Sequence, residues 1–315
     1  MASTLASNQQ LNAESVESAE SAQPKSRVQA YVELTKLRIS VMVLLTFAVG
    51  AFLAANATGA SVSPLVFLGA IVGMLAIAAS GNAMNMYLER YSDFLMPRTA
   101  DRPLPAQRLS ATEVATFGAV TFGISIGCLL ALVNWETAVC AVANWILYVF
   151  VYTPLKRRTH FNTEIGAVAG AMPIIMGSLA TTQTVGLVCW AFFGVLFLWQ
   201  FPHFMAIAWM YRDDYRKGGL KMLTVTEPTG AAAGRKAIVT GVLLIAVSLI
   251  PMMAMRTQIH AWIFAVVAIV LGWKYLKAAI AFNSTRTDPV ARKLLRSSLL
   301  YLPLYMVLLL FTYLT

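Results

Sequence analysis

The chain has 315 residues, of which 58% are hydrophobic and only 12% are charged, and its formal net charge is +10. Soluble domains carry about 25% charged residues, so this composition and its long apolar runs exclude an ordinary soluble protein. The runs are continuous rather than short segments of alternating polarity, which predicts membrane-spanning helices and excludes a transmembrane barrel. The three cysteines, Cys128, Cys140 and Cys189, lie inside apolar runs without a CxxC motif, which argues against a disulfide framework or a zinc site.

The polar N-terminal segment, residues 1–30, is rich in Ala, Ser, Gln and Glu. It lacks the apolar core of a secretory signal peptide and is predicted to be a disordered tail. The remainder, residues 31–315, is predicted to form one all-α integral membrane domain. The nine expected transmembrane spans are 39–56, 64–88, 113–133, 136–154, 164–182, 186–210, 237–255, 259–280 and 297–314. Each is long enough to cross about 30 Å of hydrocarbon at 1.5 Å per residue.

The basic residues are strongly segregated between the two sides of this arrangement. Of the 24 Lys and Arg residues, all except Arg256 lie in the N-terminal tail, in four loops or at the helix ends beside them. These loops are near 89–112, 155–163, 211–236 and 275–296. The positive-inside rule therefore predicts that the N-terminus and these loops are cytoplasmic and that the C-terminus lies outside. The juxtamembrane placement also accounts for the net charge without a nucleic-acid partner.

Two groups of acidic residues fall at the cytoplasmic ends of predicted spans. Asn85, Glu89 and Asp93 are spaced by four at the end of the second span, so a helix presents them on one face. Like charges at this spacing repel each other unless a cation relieves the repulsion. Asp213 and Asp214 follow the sixth span, and because the two spans are four apart, both groups face the same compartment.

Carboxylates flanked by Arg and Lys are typical of a site for a metal-bound diphosphate. Carboxylate oxygens favour Mg²⁺, which keeps waters and bridges to phosphate oxygens, while Arg and Lys clamp the phosphates. Beside an apolar helix bundle, such a site predicts a prenyl diphosphate substrate. Departure of its diphosphate leaves an allylic cation that must be kept from water. The alternative is a solvated rim of charged helix ends that binds no ligand.

Four motifs follow one another in order between about residues 30 and 225. They are Leu34-Thr35-Lys36-Leu37-Arg38-Ile39; Asn85 to Asp93 with Met96-Pro97-Arg98-Thr99 and Arg102-Pro103; Tyr152-Thr153-Pro154-Leu155-Lys156-Arg157 with Asn162-Thr163; and Trp199-Gln200-Phe201-Pro202-His203-Phe204 with Asp214-Tyr215. This set resembles the UbiA-type prenyltransferases, and more narrowly their protoheme IX farnesyltransferase (heme O synthase) branch. Glu89 stands where the family usually has Asp, and Tyr91 where many members have another Asp, so this site has fewer carboxylates.

The resemblance implies a UbiA-type helical bundle and a prenyltransferase activity. In that branch the farnesyl group of farnesyl diphosphate is joined to a vinyl group of heme b, and water completes the product, heme O, for terminal oxidases. Heme b is then a substrate rather than a cofactor, and the metal is Mg²⁺ or Mn²⁺. The resemblance further implies residence in the bacterial inner membrane, with heme A synthase or oxidase assembly factors as candidate partners.

The motifs, together with the two acidic groups, assign expected roles to individual side chains. The expected metal ligands are Asn85, Glu89, Asp93, Asp213 and Asp214, and the expected diphosphate clamp is Arg38, Arg98, Arg102, Lys156 and Arg157. The expected catalytic residues are Asn85, Glu89, Asp93, Asp214 and His203, and the expected heme or prenyl contacts are Trp199, Tyr152 and Asn162. An intramembrane histidine is costly, so His203 is expected to ligate heme iron or to transfer a proton. The alternative is a structural histidine that is hydrogen-bonded between helices.

Three other functions remain open on the sequence. A UbiA-type enzyme that prenylates an aromatic quinone precursor or chlorophyllide would carry the same diphosphate site. A secondary transporter would place charges within the membrane, near its midplane, whereas these carboxylates fall at helix ends. A structural assembly factor would leave both acidic groups without a role.

Overall fold

The computed structural model describes residues 26–255 and 257–314. Residues 1–25, which make up most of the predicted tail, and Arg256, the one basic residue predicted on the outer side, lie outside the described residues. Across the two described ranges, every regular element is helical. This confirms the predicted all-α fold.

The described chain forms twelve α-helices, numbered here in chain order. They are α1 (Arg27–Thr35), α2 (Leu37–Thr58), α3 (Pro64–Phe94), α4 (Ala111–Leu132), α5 (Trp135–Ile146), α6 (Asn162–Thr182), α7 (Leu187–Met210), α8 (Arg212–Lys217), α9 (Leu223–Thr226), α10 (Ala231–Ser248), α11 (Gln258–Ser284) and α12 (Asp288–Leu314). A π-helical turn (Leu147–Tyr152) and a last α-turn (Thr153–Leu155) prolong α5, and a 3₁₀ turn (Ile250–Ala254) prolongs α10. Counted with these extensions, nine helices of residues 26–255 and 257–314 are long and apolar enough to cross a membrane, in agreement with the nine predicted spans.

The first helix begins earlier than the sequence suggested. Ser26 and Gln29 form a reciprocal capping box that starts α1 at Arg27, so residues 27–30, predicted as part of the tail, are helical. Ala30 and Leu34, four residues apart, are fully buried against α3 and α4, which explains why this polar segment folds. Lys36, in the left-handed conformation with φ of 46°, then separates α1 from α2.

Close packing of α2 on α6 holds two of the helices that surround the main cavity. A methyl group added at Gly50 would overlap the backbone of Ile174, and one added at Gly177 would overlap the backbone of Phe47. Small residues allow membrane helices to approach each other in this way. Helix α7 contacts α6 and also packs against α10 and α12 around a core that includes Phe192.

Candidate active site

A cavity of about 440 Å³ lies between α2, α3, α5, α6 and α7, and its two ends differ in polarity. The polar end is formed by the last turns of α3 and the segments beside it. It is lined by Lys36, Asn85, Glu89, Asp93, Arg98, Arg102, Lys156 and Asn162. The apolar end is lined by residues that include Val43, Met74, Ile77, Ala141, Trp145 and Met176. A cavity of this kind suits an amphipathic ligand with an anionic head.

Helix α3 presents Asn85, Glu89 and Asp93 to the cavity, as their four-residue spacing predicted. Each of the three contacts a basic residue. Lys36 Nζ donates to Asn85 Oδ1 at 3.0 Å, and Lys156 Nζ lies 2.7 Å from Glu89 Oε1. Arg102 donates to Asp93 Oδ2 at 2.7 Å. The carboxylates are therefore embedded in a basic site and do not form an isolated acidic patch.

The charged lining of the cavity is net positive. Three cationic side chains (Arg98, Arg102 and Lys156) face two carboxylates (Glu89 and Asp93), so positive charge is in excess even without the Lys36 amine. Burial alone would lower the pKa of Lys156, but the neighbouring Glu89 carboxylate raises this pKa above its ordinary value. Lys156 therefore remains an ammonium ion at physiological pH. An excess of positive charge in a partly buried site favours a multiply charged anion such as a diphosphate.

Two tyrosines line the cavity next to Lys156. Tyr148 and Tyr152 stack with ring centroids 5.5 Å apart, and Lys156 Nζ lies 4.6 Å from the centre of the Tyr152 ring. Both tyrosines belong to the π-helical turn that prolongs α5, a rare geometry that is often found at functional sites. Thr153 ties this turn to α3, since its hydroxyl donates to Tyr148 O at 2.8 Å and accepts from Asn85 Nδ2 at 3.1 Å.

The loop segments close the polar end. Arg98 lies over the rings of Tyr211 and Tyr215, 4.7 and 5.8 Å from their centres, and burial raises the pKa of Tyr215. Asn162 is fully buried and donates to Thr159 O at 2.7 Å and to Lys221 O at 3.3 Å. Asn162 therefore lines the cavity and also holds two loops together.

Four of the expected polar residues do not line the cavity. Arg38 and Arg157 are exposed, so neither contributes to the charged lining. Asp213 is also exposed and pairs with Arg216 at 2.6 Å, while Asp214 is only half-buried. The chain turns at Tyr211, so α8 does not continue α7 and the acidic pair is not aligned with the cavity. In the part of the chain that is described, no three His, Cys, Asp or Glu side chains lie close enough to hold a metal ion by themselves.

Trp199 and His203 also lie outside the cavity lining, on the face of α7 that packs against α12. The Trp199 indole donates to Ser298 O at 2.9 Å, and the Trp199 and His203 rings stack with centroids 4.8 Å apart. His203 Nδ1 lies 2.7 Å from Ser298 Oγ. This arrangement matches the alternative of a histidine that is hydrogen-bonded between helices.

Three residues that line the cavity, Lys36, Tyr148 and Gln200, received no expected role from the sequence. Lys36 lies in the first motif, but the clamp role was given to Arg38, because the sequence does not reveal the left-handed break at Lys36. Tyr148 precedes Tyr152 by four residues, a spacing that could have indicated it. Gln200 stands in the fourth motif; its amide donates to Ala167 O and Leu196 O, both at 3.0 Å, and fixes α7 against α6.

The donor atoms on α3 fit a hard divalent cation. Asp93 Oδ1 is buried and has no hydrogen-bond partner among the described residues, an arrangement that is costly unless a ligand satisfies the oxygen. Asn85 and Glu89 supply further oxygens on the same helix face. Mg²⁺ is commonly held by one or two carboxylates together with substrate phosphates and waters, so these three side chains are sufficient only when a phosphate ligand is also present.

Residues 43–311 match the model described as the UbiA prenyltransferase family. The chain belongs to the UbiA prenyltransferase family. The protoheme IX farnesyltransferase of Salinibacter ruber is 40% identical over 280 residues, which cover 89% of this chain and 97% of the relative. That of Rhodopirellula baltica is 40% identical over 278 residues, covering 86% and 96%. The mitochondrial protoheme IX farnesyltransferase of Arabidopsis thaliana is 36% identical over 279 residues, covering 88% and 63%.

Solved structures of other proteins have a similar fold. A digeranylgeranylglyceryl phosphate synthase superimposes with a TM-score of 0.74 at 15% identity, covering 91% of this chain and 98% of that one. A UbiA homologue from Archaeoglobus fulgidus bound to DMAPP and Mg²⁺ gives a TM-score of 0.64 at 15% identity, covering 88% and 98%. At these identities the likeness establishes the helical architecture, which confirms the UbiA-type bundle expected from the motifs.

Proposed function

We propose that this protein is a prenyltransferase that transfers the farnesyl group of farnesyl diphosphate to a vinyl group of heme b, giving heme O. The observation that carries the prenyl-transfer part is the cavity itself, which joins a net-positive polar end to a long apolar end. The protoheme IX farnesyltransferases that match nearly the full length of the chain support heme b as the acceptor.

The diphosphate binds at the polar end in this proposal. Lys36, Arg102 and Lys156 surround the oxygens of Asn85, Glu89 and Asp93, and Arg98 lies at the rim. Asn85, Glu89 and Asp93 would hold Mg²⁺ or Mn²⁺, which neutralises charge on the departing diphosphate. The predicted contacts from Asp213, Asp214, Arg38 and Arg157 stay predictions, and they would require the loops to move toward the cavity.

The chain's own residues then protect the reacting carbon. Tyr152 lies beside Lys156 and Tyr148 stacks on Tyr152, so in this proposal the two rings stabilise positive charge that develops on the allylic group. The apolar lining beyond them excludes water from the prenyl chain. Asn162 holds the loops that close the polar end and therefore positions the clamp.

We propose that His203 ligates the heme iron, and the support for this role is the hydrogen bonding of its imidazole. The Ser298 hydroxyl donates its single proton to Leu295 O at 2.6 Å, so the contact with His203 requires Nδ1 of the histidine to be the donor. Neutral His203 then keeps a lone pair on Nε2, which is the form that ligates iron. Trp199, stacked on the same imidazole, would orient it.

The membrane arrangement follows from the positions of the basic residues. The polar end of the cavity lies at the end of α3 and beside the loops that carry most of the Lys and Arg residues. We propose that this end faces the cytoplasm, that the protein resides in a bacterial inner membrane, and that its C-terminus lies outside. We also propose that the described residues from 31 onward form one catalytic domain. Heme A synthase or oxidase assembly factors are proposed as the partners that receive the product.

The first experiment is expression in a bacterium that lacks its own heme O synthase, followed by heme extraction and reversed-phase chromatography with mass detection. We expect a farnesylated heme that disappears in Asp93→Ala, since Asp93 supplies the unpartnered buried oxygen. To check that the variant is folded, it is extracted from the membrane in detergent and must elute as a single monodisperse peak in size-exclusion chromatography. If cells that contain the folded wild-type protein yield only heme b, the assignment of heme b as the acceptor is wrong. Quinone precursors and chlorophyllide would be assayed next.

A further inference from the structure

Gln200 on α7 presents an unused hydrogen-bond acceptor at the main cavity. Its side chain lines the cavity and is buried, at 7% exposure. Its Nε2 donates to Ala167 O and to Leu196 O, each at 3.0 Å. Because backbone carbonyls can only accept, these two bonds use both amide protons and fix which end of the amide is the nitrogen. The orientation of Oε1 is thereby set, and this oxygen accepts no hydrogen bond from the residues that the structure describes.

A glycine on α6 leaves room for this carbonyl oxygen. A methyl group added at Gly170 would overlap Gln200 Oε1, and Gly170 itself lines the cavity. A buried acceptor without a partner is unfavourable unless a ligand satisfies it. The arrangement therefore predicts that the cavity binds a molecule with an O–H or N–H group at this position.

Water is the one reactant of the proposed function that carries such a group. The prenyl chain is a hydrocarbon, and an ionised diphosphate offers only acceptors. In heme b the vinyl groups have no polar atom, the pyrrole nitrogens are bound to iron, and the ionised propionates are acceptors. The water that completes heme O is therefore the molecule that can donate a hydrogen bond to Gln200.

Gln200 lies one helical turn of α6 away from the place proposed for the reacting carbon. A methyl group added at Gly166 would overlap the ring of Tyr152. Tyr152 lies beside Lys156, where the diphosphate is proposed to bind. Gly170, at the level of Gln200 Oε1, follows Gly166 by four residues, which is about 6 Å along the helix axis. A water molecule held on this oxygen is thus close to the farnesyl carbon and to the vinyl group that it joins.

We infer that Gln200 holds the water molecule that attacks the cation formed on the vinyl group, an inference that rests on the proposed function. A bond forms between the farnesyl carbon and the outer vinyl carbon while the bond to the diphosphate oxygen breaks, and positive charge is left on the inner vinyl carbon. The water donates one hydrogen bond to Gln200 Oε1, and its oxygen bonds to this carbon. One water proton passes to the departed diphosphate, because a neutral amide is too weak a base to take it.

The test is the composition of the product, which a purely structural role of Gln200 would not change. Full-length protein is produced in a bacterium that lacks its own heme O synthase, and the extracted hemes are separated with mass detection. When no water is held, the cation loses a proton from a neighbouring carbon to the diphosphate, which gives a product lighter than heme O by one water molecule. We expect Gln200→Leu to raise the ratio of this dehydrated product to heme O at least about tenfold over the wild type.

Gly170→Ala provides a second variant, in which Gln200 itself is retained. The added methyl group displaces the amide oxygen, and because this oxygen is at the end of a flexible side chain, the helices need not move apart. We expect the same shift toward the dehydrated product. Gly127 on α4 has open space around its added Cβ, so the matched change Gly127→Ala should leave the product ratio at its wild-type value.

The outcomes separate this inference from the proposed function. An unchanged ratio in both Gln200→Leu and Gly170→Ala, with heme O still formed, would overturn the inference alone. Loss of all prenylated heme in both variants would also overturn it, because prenyl transfer precedes the attack of water. If only Gln200→Leu loses all product, the ratio in Gly170→Ala decides. The absence of prenylated heme from the folded wild-type protein would overturn the proposed acceptor together with this inference.

Discussion

Lys156 Nζ lies 2.7 Å from Glu89 Oε1, and this ion pair joins the end of the α5 extension to the end of α3. Both side chains are largely buried, at 16% and 9% exposure. A buried ion pair of this kind contributes little when intact, but removal of one partner leaves a charge without compensation, which costs about 3–5 kcal/mol. A substitution that removes either charge of this pair is therefore expected to change both the charge of the site and the stability of the fold.

Lys156→Met should both destabilise the protein and weaken diphosphate binding. We expect a clear loss of thermal stability in detergent and an increase in the KM for the prenyl diphosphate of about tenfold or more, since hydrogen bonds to charged groups contribute about 1.5–3 kcal/mol. The double variant Glu89→Gln/Lys156→Met should regain thermal stability without regaining activity. Equal stability of the single and double variants would show that the pair is not coupled in the folded protein.

The pH dependence of activity should not reflect loss of the Lys156 charge. Its pKa is raised above the ordinary value by Glu89, and a group with a raised pKa keeps its contribution below the unfolded value and loses it only as the pH rises through the folded value. The ammonium ion is therefore present throughout an assay between about pH 6 and 9. An alkaline limb within this range that is abolished by Lys156→Met would contradict this assignment.

Lys36, rather than Arg38, should be the basic residue of the first motif that binds the diphosphate. Lys36 Nζ contacts Asn85 inside the cavity, whereas Arg38 is exposed. Lys36→Met should raise the KM for the prenyl diphosphate about tenfold to a hundredfold. Lys36→Arg, which keeps a positive charge, should raise this KM by less. The matched change Arg38→Met should alter this KM by less than about threefold. The reverse order of the two effects would return the clamp role to Arg38.

The sequence predicted the features that depend on periodicity. Apolar runs gave the nine spans, and the four-residue spacing gave the shared face of Asn85, Glu89 and Asp93, because a regular helix of known pitch converts spacing directly into direction. The cavity at the end of the second span was therefore predictable, as was the contribution of Lys156 and Arg102 to it.

Features that depend on breaks in the helices were not predictable. The left-handed Lys36 and the turn at Tyr211 each interrupt the periodicity. Arg38, predicted from a motif, and Asp213, predicted from the second acidic group, therefore do not line the site. The direction of His203 was likewise undetermined, since neighbouring positions on α7 face either the cavity, as Phe204 does, or α12. Only tertiary packing decides between these directions.

The α2–α6 contact should be sensitive to a single added methyl group. Gly177→Ala would bring a Cβ against the backbone of Phe47, and because backbone atoms cannot move aside as a flexible side chain can, we expect a destabilisation of about 1–3 kcal/mol. Gly123, inside α4, has open space around its added Cβ, so Gly123→Ala should be neutral or stabilising by up to about 1 kcal/mol. Thermal unfolding of both variants in the same detergent provides the comparison, and equal midpoints would argue against close helix contact at Gly177.

Ser298 offers a way to separate a heme-binding His203 from a structural one. Because the Ser298 hydroxyl donates to Leu295 O, its contact with Nδ1 fixes the histidine proton there and leaves Nε2 free to bind iron. His203→Ala should abolish the histidine-dependent part of the heme absorption spectrum and lower turnover. Ser298→Ala should shift that spectrum and weaken heme affinity about tenfold or more, while His203 itself remains present. Thermal stability is measured in parallel: if both variants lose stability but bind heme with unchanged spectrum and affinity, His203 serves only to join α7 to α12, and the heme must be bound elsewhere.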